Sequence, residues 1–250
     1  MRLLRAWIVA EKDLDEFKRN RFIMTTLFGM PIILSLTPIL SFLTPMVIYP
    51  TAIGDAEKLA LIGMLPRFTL PLLIMIPTIT PSIIASYSFV GEKTNRSLEP
   101  LLATPTSDEE LLIGKSLAVF IPTMLGTFGG FIVDIVLLDW AAYPLFGRFV
   151  VPDLSWAIAM LLLSPGFCIL SIEANVLVSS RMNDVRAAQQ IGGLVVMPVM
   201  LIYFGSLTNF FPLAPGNMLI IFSIAVVTVL LLGSITKRVF QREEILTKWR

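Results

Sequence analysis

Any chemistry in this chain has to come from a short list of residues. There is no histidine, which removes the usual general base, the usual imidazole metal ligand and the side chain that titrates near neutrality. The one cysteine, Cys168, lies in an apolar run and has no second cysteine to pair with, so it reads as a packing residue rather than a reactive thiol. Gly114-Lys115-Ser116 has the ending of a phosphate-binding loop. That motif needs a further glycine where Glu109 stands, and a strand before it, so the match is chance. Asp134, Asp139 and Glu173 fall in or beside apolar stretches, where a carboxyl marks an ion path by default. Their register places all three near span ends, and they are expected to be interfacial. No paired carboxylates, Ser/His/Asp set or metal-ligand cluster can be assembled, which leaves a membrane-embedded enzyme without catalytic groups.

The elements that must position these residues are membrane helices. Hydrophobic residues make up 56% of the 250 and charged residues only 15%, against about a quarter charged in soluble domains. The net charge of +1 gives no field for nucleic acid. Uncharged stretches cover residues 22–54, 68–91, 116–133, 154–172 and 187–236. A helix needs about 20 apolar residues to cross the hydrocarbon core. The first four stretches are one span each. The fifth is broken by Pro212, Ala214, Pro215, Gly216 and Asn217 and reads as two, giving six. The first stretch is too long for a signal-peptide core and is expected to remain in the mature protein. Pro31, Pro38 and Pro45 recur at seven-residue spacing in the first span, and Pro71, Pro77 and Pro81 punctuate the second. Kinks are expected there, in helices that move or line a cavity.

Sixteen of the nineteen Lys and Arg fall at the N-terminus up to Arg21, between the second and third spans, between the fourth and fifth, and in the C-terminal tail. The excess marks that side as cytoplasmic and puts both termini there. Trp7 and Trp249 then fall at the inner interface, Trp140 and Trp156 at the outer one. The domain organisation that follows is an interfacial segment at 1–21, a six-span bundle at 22–236 and a cytoplasmic tail at 237–250, an all-α fold in the cell membrane.

Two cytoplasmic pieces have a pattern of their own. In residues 4–21, Trp7, Ala10, Leu14 and Phe17 recur at helical spacing among charged residues, the signature of an amphipathic helix lying along the interface. In residues 91–115, Ser97 can cap a short helix that Pro105 ends. Thr106 with Glu109 and Ser107 with Glu110 offer overlapping capping boxes for the third span. Leu98, Leu101 and Leu102 on the short helix either dock on a partner or pack back on the bundle. Residues 173–186 read as a polar helix extension or turn.

The stretch Glu92-Lys93-Thr94-Asn95-Arg96-Ser97-Leu98-Glu99-Pro100-Leu101-Leu102-Ala103-Thr104-Pro105, followed by Glu109-Glu110-Leu111-Leu112-Ile113-Gly114-Lys115, closely resembles the signature of ABC transporter permeases of the type-2 exporter family. The run from Lys12 to Arg21 looks like that family's elbow helix. The run from Ser180-Arg181 to Gln189-Gln190 is similar to its approach to the fifth span. Asn95 and Pro100 depart from the family pattern. The resemblance implies a permease subunit that pairs with a second copy or a close paralogue, sits in lipid and docks a separate ATP-binding subunit. ATP and Mg would be bound by that partner, with no cofactor in this chain. It further implies an elbow helix carrying Trp7, Leu14 and Phe17, and a coupling helix carrying Glu92, Arg96, Leu98, Glu99, Leu101 and Leu102. A secondary transporter driven by ions or protons is the alternative; it would want mid-span acids or an inverted repeat.

Overall fold

The computed structural model describes residues 3–48, 54–91, 107–147, 149 and 151–239. Every regular element among them is helical. We number seven helices: α1 (Leu3–Arg19), α2 (Arg21–Ile48), α3 (Asp55–Ser86, continued by a π-helical turn at Tyr87–Gly91), α4 (Asp108–Phe146), α5 (Leu154–Arg181), α6 (Val185–Leu207) and α7 (Pro215–Val239). The last six are long and apolar enough to cross a membrane, and the break between α6 and α7 falls at the Pro212–Asn217 cluster that the sequence marked.

Backbone irregularities follow from proline. In α5, Pro165 has no N–H to give, and the helix accommodates it with a π-helical turn at Ala159–Leu163. There the Ser164 N–H donates five residues back to the Ala159 carbonyl, and its hydroxyl reaches the same oxygen at 2.9 Å. In α6, Pro198 follows a tightened 3-10 turn at Gly193–Val195 that separates Val185–Gly192 from Val196–Leu207. By contrast α2 runs unbroken through Pro31, Pro38 and Pro45. The Ser35 hydroxyl donates back to the Pro31 carbonyl at 2.5 Å.

Helices α3 and α5 form the buried centre, with α4 and α6 against α3, α2 on α3 and α4, and α7 outermost on α5. Two apolar clusters fill the bundle. One lies at the end where α1 sits (the elbow end), around Phe17, Leu27, Phe89, Val119, Cys168 and Val176. The other lies at the far end, around Leu73, Ile76, Phe131, Trp156, Leu163 and Met218. Cys168 is fully buried, a packing residue as expected. The outer faces of α2, α6 and α7 expose large apolar side chains such as Phe28, Ile32, Leu201, Phe204, Ile224 and Leu230. Such surface is stable against lipid and a liability in water. Trp156, in the first turn of α5 and expected at the outer interface, is 2% exposed and packs edge-on to Phe131, with centroids 6.1 Å apart. Trp140 remains exposed; Trp249 lies outside the described residues.

Candidate functional site

The site begins with α1. Its buried face is Ala6, Val9, Ala10, Asp13 and Phe17, at three- and four-residue spacing, and it lies along the start of α4. Gly114 permits the close crossing. A Cβ there would fall 2.6 Å from the Ala6 carbonyl oxygen and 2.8 Å from the Val9 Cβ, so any side chain would lift α1 away. Of the expected elbow residues, Phe17 is buried, Leu14 is partly buried against the same cluster, and Trp7 points outward at 47% exposure. The packed face is thus rotated from the stripe that periodicity proposed, because an acid, Asp13, occupies its middle.

Asp13 is buried because Lys115 meets it. The Lys115 Nζ lies 3.2 Å from Asp13 Oδ2, and both side chains are essentially inaccessible. The ammonium also donates to the Ser88 carbonyl at 3.1 Å and to the Ser88 hydroxyl at 3.2 Å, and lies 5.4 Å from the centre of the Phe89 ring. The Ser88 hydroxyl in turn donates to Asp13 Oδ2 at 2.7 Å. The second Asp13 oxygen faces Lys12 Nζ at 3.7 Å. Two buried charges are stable only when paired and hydrogen-bonded, and here the bonds close into a ring. On the exposed side of α1, the Lys18 ammonium, bonded to Asp15 at 2.9 Å, holds that carboxyl below its ordinary range. That pair is open to solvent and contributes little.

Three elements meet at the ring. Asp13 comes from α1, Ser88 from the π-helical turn that ends α3, and Lys115 from the second turn of α4. The chain leaves the described residues at Gly91, the end of that π-helical turn, and returns to them at Ser107, the N-cap of α4. The returning end is held by a capping box: the Glu110 N–H donates to the Ser107 hydroxyl at 3.2 Å and the Ser107 N–H to the Glu110 carboxylate at 3.1 Å. This is one of the two boxes that the sequence offered. Thr106 and the expected coupling residues Glu92, Arg96, Leu98, Glu99, Leu101 and Leu102 lie outside the described residues.

A second polar node, which sequence reasoning missed, holds α3, α5 and α6 together at the same end. The Asn175 Oδ1 accepts from Ser86 at 3.2 Å and Ser82 at 3.4 Å, and its amide donates to the Ser171 carbonyl at 2.9 Å. The Ser171 hydroxyl reaches the Thr78 carbonyl, and Ser82 the Gln189 carbonyl. Gly192 packs so closely on Asn175 that a Cβ would overlap the side-chain amide. Asn175 lies 93 residues from Ser82 and 89 from Ser86, so no local spacing ties it to them.

The sequence expected the three acids of the spans to be interfacial; the structure shows how far each is covered by its neighbours. Asp139 is buried and accepts the Val151 N–H at 3.0 Å; Glu173 lies near Gly233; Asp134 is fully enclosed. Among the described residues no three His, Cys, Asp or Glu converge as metal ligands.

Residues 63–236 match the family model described as ABC-2 family transporter protein. A search of curated proteins finds no match.

Proposed function

The chain belongs to the ABC-2 family of transporter proteins and is a multi-pass membrane permease subunit; from that premise we propose that it forms the membrane half of an ATP-driven exporter. Two copies, or this chain and a close paralogue, enclose the substrate pathway in the cell membrane with both termini in the cytoplasm. Separate ATP-binding subunits carry ATP and Mg and seat the short helix of residues 97–103 in a groove. Closure of the ATPase pair pushes on that helix, and the push moves substrate outward.

The observation that supports this reading is the buried Asp13–Ser88–Lys115 ring. A helix that transmits force between two spans needs rigid roots. The ring locks the exit from α3, the entry to α4 and the elbow helix into one unit, so a displacement of the loop rotates the helices instead of dissipating in the loop. Leu101 and Leu102 each offer about 1.5–3 kcal/mol of apolar burial to a partner. Glu92, Arg96 and Glu99 sit at the rim and steer association.

Leu101→Asp or Leu102→Asp tests the proposal. Each variant is expected to insert and dimerise normally but to retain its ATP-binding subunit at least tenfold more weakly on co-purification. Destabilisation of the permease alone would mean that the helix packs on its own bundle. Normal retention would remove the coupling role.

A further inference from the structure

The described chain has four buried acids: Asp13, Glu110, Asp134 and Asp139. Asp13 is bonded to Ser88 and Lys115, Glu110 to the Ser107 N–H, and Asp139 to the Val151 N–H. Asp134 is fully enclosed, and neither of its carboxyl oxygens meets a hydrogen-bond donor. Buried polar groups are nearly always satisfied, and one that is not costs stability that an apolar side chain would restore. It lies six residues before the exposed Trp140, about 9 Å along the helix axis, inside the apolar stretch Asp108–Trp140.

Its position on α4 identifies its surroundings. Gly126 packs against the Leu27 carbonyl and Pro31 of α2, and Gly130 against Pro31 and against Ile76 of α3. Asp134 is one turn further along that stripe, at the seam where α4 meets α2 and α3. Phe131 and Leu138, its neighbours one turn to either side, are buried apolar residues. The α2 side of the seam is the thinner wall. Much of that helix is exposed, and it carries Pro31 and Pro38 beside the seam.

We propose that Asp134 recognises a cationic amine on the molecule this permease exports, reached when α2 parts from α4. This rests on the exporter reading above. A carboxylate with two open oxygens takes N–H donors, and bonds between opposite charges are the strong ones. The apolar walls accept the body of an amphipathic molecule. An anion is repelled. The carboxyl is closed off within one protomer, so a second copy of the chain does not supply the missing donor; a small molecule entering through the α2–α4 seam does.

The test uses the permease complexed with its ATP-binding subunit in lipid, with rhodamine 6G, an amphipathic cation bearing N–H groups, as probe and uncharged Nile red as control. Wild type is expected to bind rhodamine 6G. Asp134→Asn is expected to weaken that binding at least tenfold, Asp134→Glu to retain most of it, and Nile red binding to stay constant. Asp134→Leu is expected to lose rhodamine 6G while its thermal midpoint rises, a combination that a purely structural role does not give. Retention of the ATP-binding subunit is scored separately: its loss in wild type would reject the exporter reading, not the amine site. A second arm locks the seam. The Pro31 Cβ lies 3.4 Å from a Cβ built on Gly130, close to disulfide geometry, so oxidised Pro31→Cys/Gly130→Cys should lose rhodamine 6G binding and regain it on reduction. No probe binding by wild type, equal binding by Asp134→Asn, or equal binding by the locked and reduced pair would overturn the proposal.

Discussion

Lys115 carries its charge into a place without water, and its four contacts make that tolerable. Removing one partner of such a pair leaves an uncompensated buried charge, a loss of about 3–5 kcal/mol. Lys115→Met is therefore expected to lower the thermal midpoint and release α1, seen as faster proteolysis within the first 20 residues. Asp13→Asn combined with Lys115→Met removes both charges and should recover most of the loss. If the double variant is as unstable as the single, the two residues are not coupled. Asp15→Ala, which breaks only an exposed pair, should leave both readouts unchanged. Gly114 belongs to the same argument: Gly114→Val should detach α1 without touching any charge, because its side chain would occupy the space of the Ala6 carbonyl.

At the scale of elements, helix ends and breaks carry the design. The Ser107 cap starts α4 at the root of segment 92–106, and Ser107→Ala should cost about 1 kcal/mol, read as faster hydrogen exchange confined to the first turn of α4. In α6, Gly192 and the 3-10 turn after it separate a half pinned to Asn175 from a half that packs on α3 through Val199 and Ser206. Gly192→Ala should drive Asn175 off its serine partners and cost about 1–3 kcal/mol. Hydrogen exchange should rise over Val185–Gly192 and leave Val196–Leu207 as it was; a rise over both halves would mean that α6 moves as one rod. Such breaks place flexibility beside the polar node, where a bundle that changes shape can bend without losing its core.

For the whole molecule, the asymmetry of Lys and Arg is the ground for the proposed orientation. Cysteine placed at Lys58 is expected to react with a membrane-impermeant thiol reagent on intact cells, and cysteine at Lys93 or Lys237 only after the membrane is opened. The reverse pattern would invert the topology. The number of spans, the break at Pro212–Asn217 and the Ser107 cap were all legible in the sequence, because each depends on residues near one another in the chain: a run of about 20 apolar residues, a turn, a capping pair. The span limits were not: the helix of the third span runs Asp108–Phe146 where the uncharged stretch is 116–133. The family resemblance was legible too, in a contiguous motif. The motif did not explain its own Gly-Lys ending. Gly114 and Lys115 have their reason in Ala6, Val9 and Asp13, about 100 residues away, and Asn175 has its reason in Ser82, Ser86 and Gly192. Counting along one helix placed Asp134 near a span end. Only packing decides that it is enclosed, that Trp156 turns inward, and that α1 buries an acid on a face that periodicity would have made apolar. Hydropathy says how deep a residue lies along its own helix; which side of that helix meets another is set by the assembly of all seven.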